Sequence, residues 1–190
     1  MAFSPGTVGY MLTMMQGTWH DHIELYDLSG APIDMDEKAG SPGASPFDNL
    51  VYIDFDGENY TQTNVTFRGR PLHVRTFTGK LINGILHFDK LGPNDPGHIG
   101  VAAGNNILAF VPGKISDALK RYTEPDFLFI EPPHKRTRST VLYRDGEAIR
   151  TLHAQGLKVA PTAARRHRDD PRGIEGAVHE IRSITQVFKE

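Results

Sequence analysis

The sequence predicts an all-β protein: an antiparallel up-and-down barrel of about nine or ten strands, entered through a short N-terminal helix or turn. Three observations predict it. Glycine and proline are plentiful, 19 and 13 in 190 residues, while the apolar fraction is only 38%. That mix suits many strands joined by turns better than a helical bundle. Asp56-Gly57, Asn83-Gly84 and Asp145-Gly146 are tight hairpin signals, because these residues tolerate the positive φ that two-residue turns need. Between the turns the chain consists of short β-forming runs, and sequential hairpins make a meander. A meander of that length curls, and closing it removes both exposed edges.

The elements follow in order. Within Pro5–Gln16, Val8, Met11, Leu12 and Met15 recur at helical spacing and form one apolar face, suited to closing an end of the domain. A strand covers Thr18–Tyr26. Leu28–Asn49 holds Gly30, Pro32, Gly40, Pro42, Gly43 and Pro46 and reads as a long loop. Strands then cover Leu50–Phe55, Tyr60–Phe67, Leu72–Leu81 and Ile85–Leu91, with a turn at Arg68–Pro71. Gly92–Gly97 is a Pro/Gly loop, and Ile99–Val111 is one or two strands around Gly104. Ser116–Arg121 suits a single helical turn. Phe127–Glu131 is a short aromatic strand, and Thr137–Arg144 and Glu147–Val159 flank the third hairpin. Ala160–Gly176 is charged and broken by proline, a second long loop. Val178–Phe188 alternates as a last strand. The whole of 1–190 reads as one domain, with 1–16 as its closing segment.

The totals exclude several functions. A net charge of −2 gives no reason to expect a nucleic-acid partner. The basic run Arg165–Arg172 contains Asp169 and Asp170 and no aromatic residue. Without cysteine there is no thiolate nucleophile, disulfide or Cys-type zinc site. No apolar run approaches the ~20 residues of a membrane span, and Met1–Met15 lacks the basic region of a signal peptide. A cytoplasmic protein with neither a membrane nor a nucleic-acid partner is expected. Phosphate loops and a Gly-x-Ser-x-Gly elbow are absent.

The first strand carries the densest chemistry. With period 2, Trp19, Asp21, Ile23 and Leu25 point one way, and His20, His22, Glu24 and Tyr26 the other. Trp19 is the only tryptophan. Two histidines at i and i+2 can share a metal, but Glu24 lies ~7 Å further along, so a third ligand must come from elsewhere, such as His73 or His87. Neither a metal nor a cofactor is expected. On other strands, Tyr60, Gln62 and Asn64 share a face, as do His73, Arg75 and Phe77, and Phe127, Phe129 and Glu131.

Gly17-Thr18-Trp19, opening the first strand after a short N-terminal turn or helix, resembles the Gly-x-Trp signature of calycin barrels, the lipocalins among them. The strand Tyr60–Asn64 and the run Arg138…Tyr143-Arg144-Asp145-Gly146 are similar in order. The resemblance implies a calycin-like barrel with an internal cavity for a small hydrophobic molecule. It also implies an arginine across the tryptophan, Arg138 or Arg182 here. Such barrels serve as carriers, pigment handlers, isomerases and cyclases. If Trp19 points inward, as the resemblance implies, so does Asp21. A carboxylate in an apolar cavity has a raised pKa and serves as acid or base. Asp21, His73, Arg75 and Glu131 are therefore the catalytic candidates. Trp19, Tyr60, Gln62, Asn64, Phe77, Phe127, Phe129 and Arg138 are the ligand-binding ones. The expected ligand has an apolar body and a carbonyl or carboxylate. The expected activity is a cofactor-free isomerase, cyclase or lyase, and the alternative is a passive carrier of a hydrophobic ligand or pigment.

Overall fold

The computed structural model describes residues 2–33, 46–67, 73–93, 95, 97–113, 122–123 and 125–160. The turn at Arg68–Pro71, the helical turn at Ser116–Arg121, the strand at Val178–Phe188 and most of both long loops lie outside these residues. Arg182 does too.

Gly17 makes the passage from helix to sheet. Its φ of 118° is a backbone conformation that a side chain opposes, which is the physical reason for a glycine two residues before Trp19. The helix behind it, α1 (Val8–Met15), is capped by Thr7, whose Oγ1 accepts from the Tyr10 N–H at 3.3 Å. Among the described residues eleven strands follow: β1 (Gly17–Tyr26), β2 (Phe47–Phe55), β3 (Asn59–Phe67), β4 (His73–Ile82), β5 (Ile85–Phe88), β6 (His98–Ala102), β7 (Ile107–Pro112), β8 (Tyr122–Thr123), β9 (Asp126–Glu131), β10 (Lys135–Arg144) and β11 (Glu147–Ala160). Asn83 and Gly84 have φ of 51° and 79°, and Asp145 and Gly146 have 52° and 89°, the doubly left-handed turn that joins twisted strands.

The strands run close to the sequence reading, with β5 ending at Phe88 rather than Leu91 and β10 beginning at Lys135 rather than Thr137. Strand β2 begins at Phe47 rather than Leu50, because Phe47, Asp48 and Asn49 pair with Ile23, His22 and Asp21 of β1. Asp and Asn favour turns in isolation, and the sheet overrides that preference. Ile99–Val111 resolves into two strands, β6 and β7.

Ten of these strands close into an antiparallel ring, β1-β2-β3-β4-β5-β6-β7-β9-β10-β11, with β11 returning to β1. The two-residue β8 pairs with β10 beyond the end of β9. Residues directly opposite in antiparallel strands share a face, so the register carries the inward side round the ring. Trp19 faces Val51, Val51 faces Asn64 and Asn64 faces Arg75; in the other direction Trp19 faces Lys158. Asp21 lies between Asn49 and Gly156; Gly156 faces Arg136 and Arg136 faces Ile130.

Helix α1 plugs the end where β1 begins. Met11, Leu12 and Met15 pack with Trp19, Val51, Ile53, Phe55, Tyr60, Leu86, Leu108, Leu128 and Ile130. Trp19 Nε1 donates to Met15 O at 2.7 Å and Lys158 Nζ donates to Met14 O at 2.6 Å, so two strands hold the last turn of the plug. Gln16 Nε2 bonds Phe55 O. A smaller apolar cluster of Ile23, Leu25, Phe47 and Ala154 lies toward the other end. Among the described residues, no helix is long and apolar enough to cross a membrane.

Candidate functional site

Polar side chains occupy the lumen between these apolar clusters. Arg136 donates through Nε to Asp21 Oδ1 at 3.0 Å and through Nη2 to Asp21 Oδ2 at 2.6 Å, with both side chains buried. This two-pronged geometry is the strongest form of an arginine–carboxylate pair. Gly156 lies directly between them in the register. A Cβ there would sit 2.3 Å from Asp21 Oδ1 and 2.8 Å from Arg136 Cγ, so only glycine leaves space for the pair. The guanidinium also covers Trp19, 4.6 Å from the ring centroid, and Lys158 Nζ lies 5.0 Å from it. Burial, and then the charge of Arg136, pulls the Lys158 pKa below 10.5.

Two lumen atoms in this layer have no hydrogen-bond partner among the described residues. They are Arg136 Nη1 and Asn49 Oδ1, each fully buried. Buried polar groups without partners are uncommon and call for an explanation. One strand away, Arg138 Nε donates to Asp126 Oδ2 at 2.5 Å and Thr140 Oγ1 to Asp126 Oδ1 at 2.6 Å. On β3, Tyr60 Oη donates to Gln62 Oε1 at 2.6 Å, and Gln62 Nε2 to Asn64 Oδ1 at 2.9 Å. Burial pushes the Tyr60 phenol well above its ordinary 10.0, so it remains a donor.

The inward side chains are buried on one side of the ring and keep some solvent exposure on the other. Trp19, Asp21, Asn49 and Gly156 are buried, whereas Gln62, Asn64, Thr66, Phe77 and Phe110 are half-buried and Arg75 is exposed. All of these face inward by register. Most of the inward side chains that keep solvent exposure therefore lie on β3 and β4, with Arg75 and Thr66 toward the end away from the plug.

The sequence-derived candidates fall in different places. Trp19, Asp21, Tyr60, Gln62, Asn64, Arg75, Phe77 and Arg138 face the lumen. His73 begins β4 opposite Thr66, and its side chain lies outside the described residues. Phe127, Phe129 and Glu131 lie on the outer face of β9, the phenylalanines 50% and 45% exposed, while Asp126, Leu128 and Ile130 point inward and are buried. Both faces of β9 are apolar, so alternation alone did not set its phase. The arginine across Trp19 is Arg136, two residues before Arg138 on the same face. Sequence reasoning missed Arg136, Asn49, Gly156 and Lys158. Arg136 had a signal, its parity with Arg138; Asn49 was hidden in a run that reads as a turn.

The histidines of β1 face outward with Asp48. His20 Nε2 and His22 Nδ1 lie 3.1 and 3.0 Å from Asp48 Oδ1. Among the described residues no group of three or more His, Asp or Glu is placed to hold a metal ion. Burial opposes ionisation of Asp48, but the hydrogen bonds and charges of His20 and His22 outweigh it and hold the carboxyl below 3.8. A depressed carboxylate stabilises the fold above its unfolded pKa, and that contribution is lost as pH falls through the folded value. Wild type is thus expected to exceed Asp48→Asn in urea midpoint at neutral pH, with the gap closing below about pH 4. A gap undiminished at pH 2 would refute this role.

Comparison with solved structures finds the same barrel. One match is a protein of unknown function from the DUF3598 family of Nostoc punctiforme PCC 73102, with TM-score 0.60 and 16% identity over 78% of this chain and 49% of that one. This chain thus spans about half the length of that protein. A second is the S-type phycobiliprotein lyase CPES of Guillardia theta, with TM-score 0.56 and 7% identity over 81% of this chain and 92% of that one. The likeness is one of fold. No family model matches the sequence, and no match was found among curated proteins.

Proposed function

We propose that this chain is a small-molecule barrel: it takes an organic ligand through the end away from α1 and holds it against the β3–β4 wall. The observation that carries this reading is the set of inward side chains that keep solvent exposure, Gln62, Asn64, Arg75, Phe77 and Phe110. Aromatic faces with a few convergent polar groups are what small-molecule sites are made of. The fold likeness to a phycobiliprotein lyase supports a pigment or pigment-like ligand.

A second reading, a cofactor-free isomerase, cyclase or lyase, draws support from Arg136. Its spare N–H, fixed by Asp21 and aimed within a buried layer, suits developing negative charge on a carbonyl oxygen. Asp21 and Asp126 are each committed to an arginine, so catalysis here would polarise a carbonyl rather than remove a proton through either acid. In this reading Asp21 positions Arg136.

The test is a titration with the neutral fluorophore N-phenyl-1-naphthylamine, read by its own emission and by energy transfer from Trp19. Saturable one-site binding is expected, and Asn64→Phe, which fills the β3–β4 side, should abolish it. Non-saturable binding, or binding untouched by Asn64→Phe, would overturn the proposal.

A further inference from the structure

We infer that the lumen selects an organic anion, taken head-outward, with its acidic group on Arg75 and Asn64 and its body directed toward the plug. This rests on the lumen being a ligand site.

The first ground is charge. By register the inward face carries Arg75, Arg136, Arg138, Arg150 and Lys158 against Asp21 and Asp126 among the described residues. A cationic lumen inside a chain of net charge −2 is a local arrangement rather than an overall bias. Low-dielectric walls focus such a field. Arg136 and Arg138 are matched by the two carboxylates, and the Lys158 amine is spent on the plug. Arg75 has no partner among the described residues.

The second ground is hydrogen-bond direction. Tyr60 stays protonated and donates to Gln62 Oε1; Gln62 then donates to Asn64 Oδ1. The chain of donors leaves the Asn64 amide N–H₂ as its free end. Asn64 faces Arg75 directly across β3–β4, where opposed side chains are within reach of one ligand group. Arg75 offers only donors, and Asn64 turns its free N–H₂ to the same place. A carboxylate or sulfonate satisfies them together, an alcohol does so only in part, and a cation is repelled.

The third ground is what lies further in. Phe88 stacks edge-on against Tyr60 at 5.7 Å and against Phe110 at 5.2 Å, an aromatic floor for an apolar body.

The test compares two probes that share one body. 8-Anilinonaphthalene-1-sulfonate is N-phenyl-1-naphthylamine with an added sulfonate. The wild type should bind the sulfonate about tenfold more tightly, and Arg75→Gln should bring the ratio of the two affinities to about one. Arg75 is exposed, so the variant folds, which circular dichroism checks. Replacing Phe127 and Phe129 on the outer wall with serine should change neither affinity. Equal binding of both probes by the wild type, a preference that survives Arg75→Gln, or one that vanishes with the outer-wall variant overturns the inference and leaves the lumen reading standing. Binding of neither probe overturns both.

Discussion

Replacing Arg136 with methionine should cost about 3–5 kcal/mol of folding free energy, the cost of stranding a buried charge. The Asp21 carboxylate it would leave behind is 2% exposed and sits under Gly156 with no space for a substitute donor. Methionine retains much of the stem and its contact with Trp19, so the loss measures the charge rather than the volume. The double variant Asp21→Asn/Arg136→Met should recover much of the deficit, because a neutral amide is far cheaper to bury than a lone carboxylate. Urea unfolding followed by far-ultraviolet circular dichroism gives both numbers. A single-variant loss under about 1 kcal/mol would show that water reaches Asp21 and that the layer is wetter than its burial implies.

Truncating Trp19 to alanine should cost a similar amount, about 3–5 kcal/mol, by the rule for large aromatic side chains in a packed core. The indole is 0% exposed. It sits beneath Arg136 and Lys158 and donates to Met15 O. The alanine variant therefore loses core volume, a surface for two cations and one of the bonds holding α1. Trp19→Phe keeps most of the volume and loses only the hydrogen bond and some ring area, so it should sit well nearer wild type. Limited proteolysis separates the effects. The alanine variant should be cut within residues 2–16 before the barrel, and an N-terminal segment as resistant as in wild type would argue that the plug is held by its own apolar face alone.

Much of the fold was legible because hairpin chemistry is local. Asn83-Gly84 and Asp145-Gly146 announce left-handed turns from two residues each, and the structure has them. The helical spacing of Val8, Met11, Leu12 and Met15 likewise gave the buried face of α1. The site was less legible because it depends on stagger between distant strands. Which arginine crosses Trp19 is decided by how β10 slides against β11 and β11 against β1, including a bulge at Thr18/Trp19. No local pattern distinguishes Arg136 from Arg138, one alternation apart. The phase of β9 was ambiguous for a related reason, since Phe127 and Phe129 are as apolar as Leu128 and Ile130. On the outer face of β1–β3, His20, Leu50, Tyr52 and Val65 are buried as well, so burial on those strands does not alternate cleanly.

The ring is not equally strong all the way round. Strands β10 and β11 face each other through ten residue pairs, whereas β5 and β6 meet through two, Leu86 with Gly100 and His87 with Ile99. A cylinder under stress parts where its hoop is thinnest. Parting the β5–β6 joint breaks the fewest backbone bonds, and it would turn the closed tube into a curled sheet with free edges at β5 and β6. The aromatic pair Phe88 and Phe110 lies beside that joint. Hydrophobic packing there does the work of the missing ladder, so the barrel is joined along one line by side chains and elsewhere by main chain.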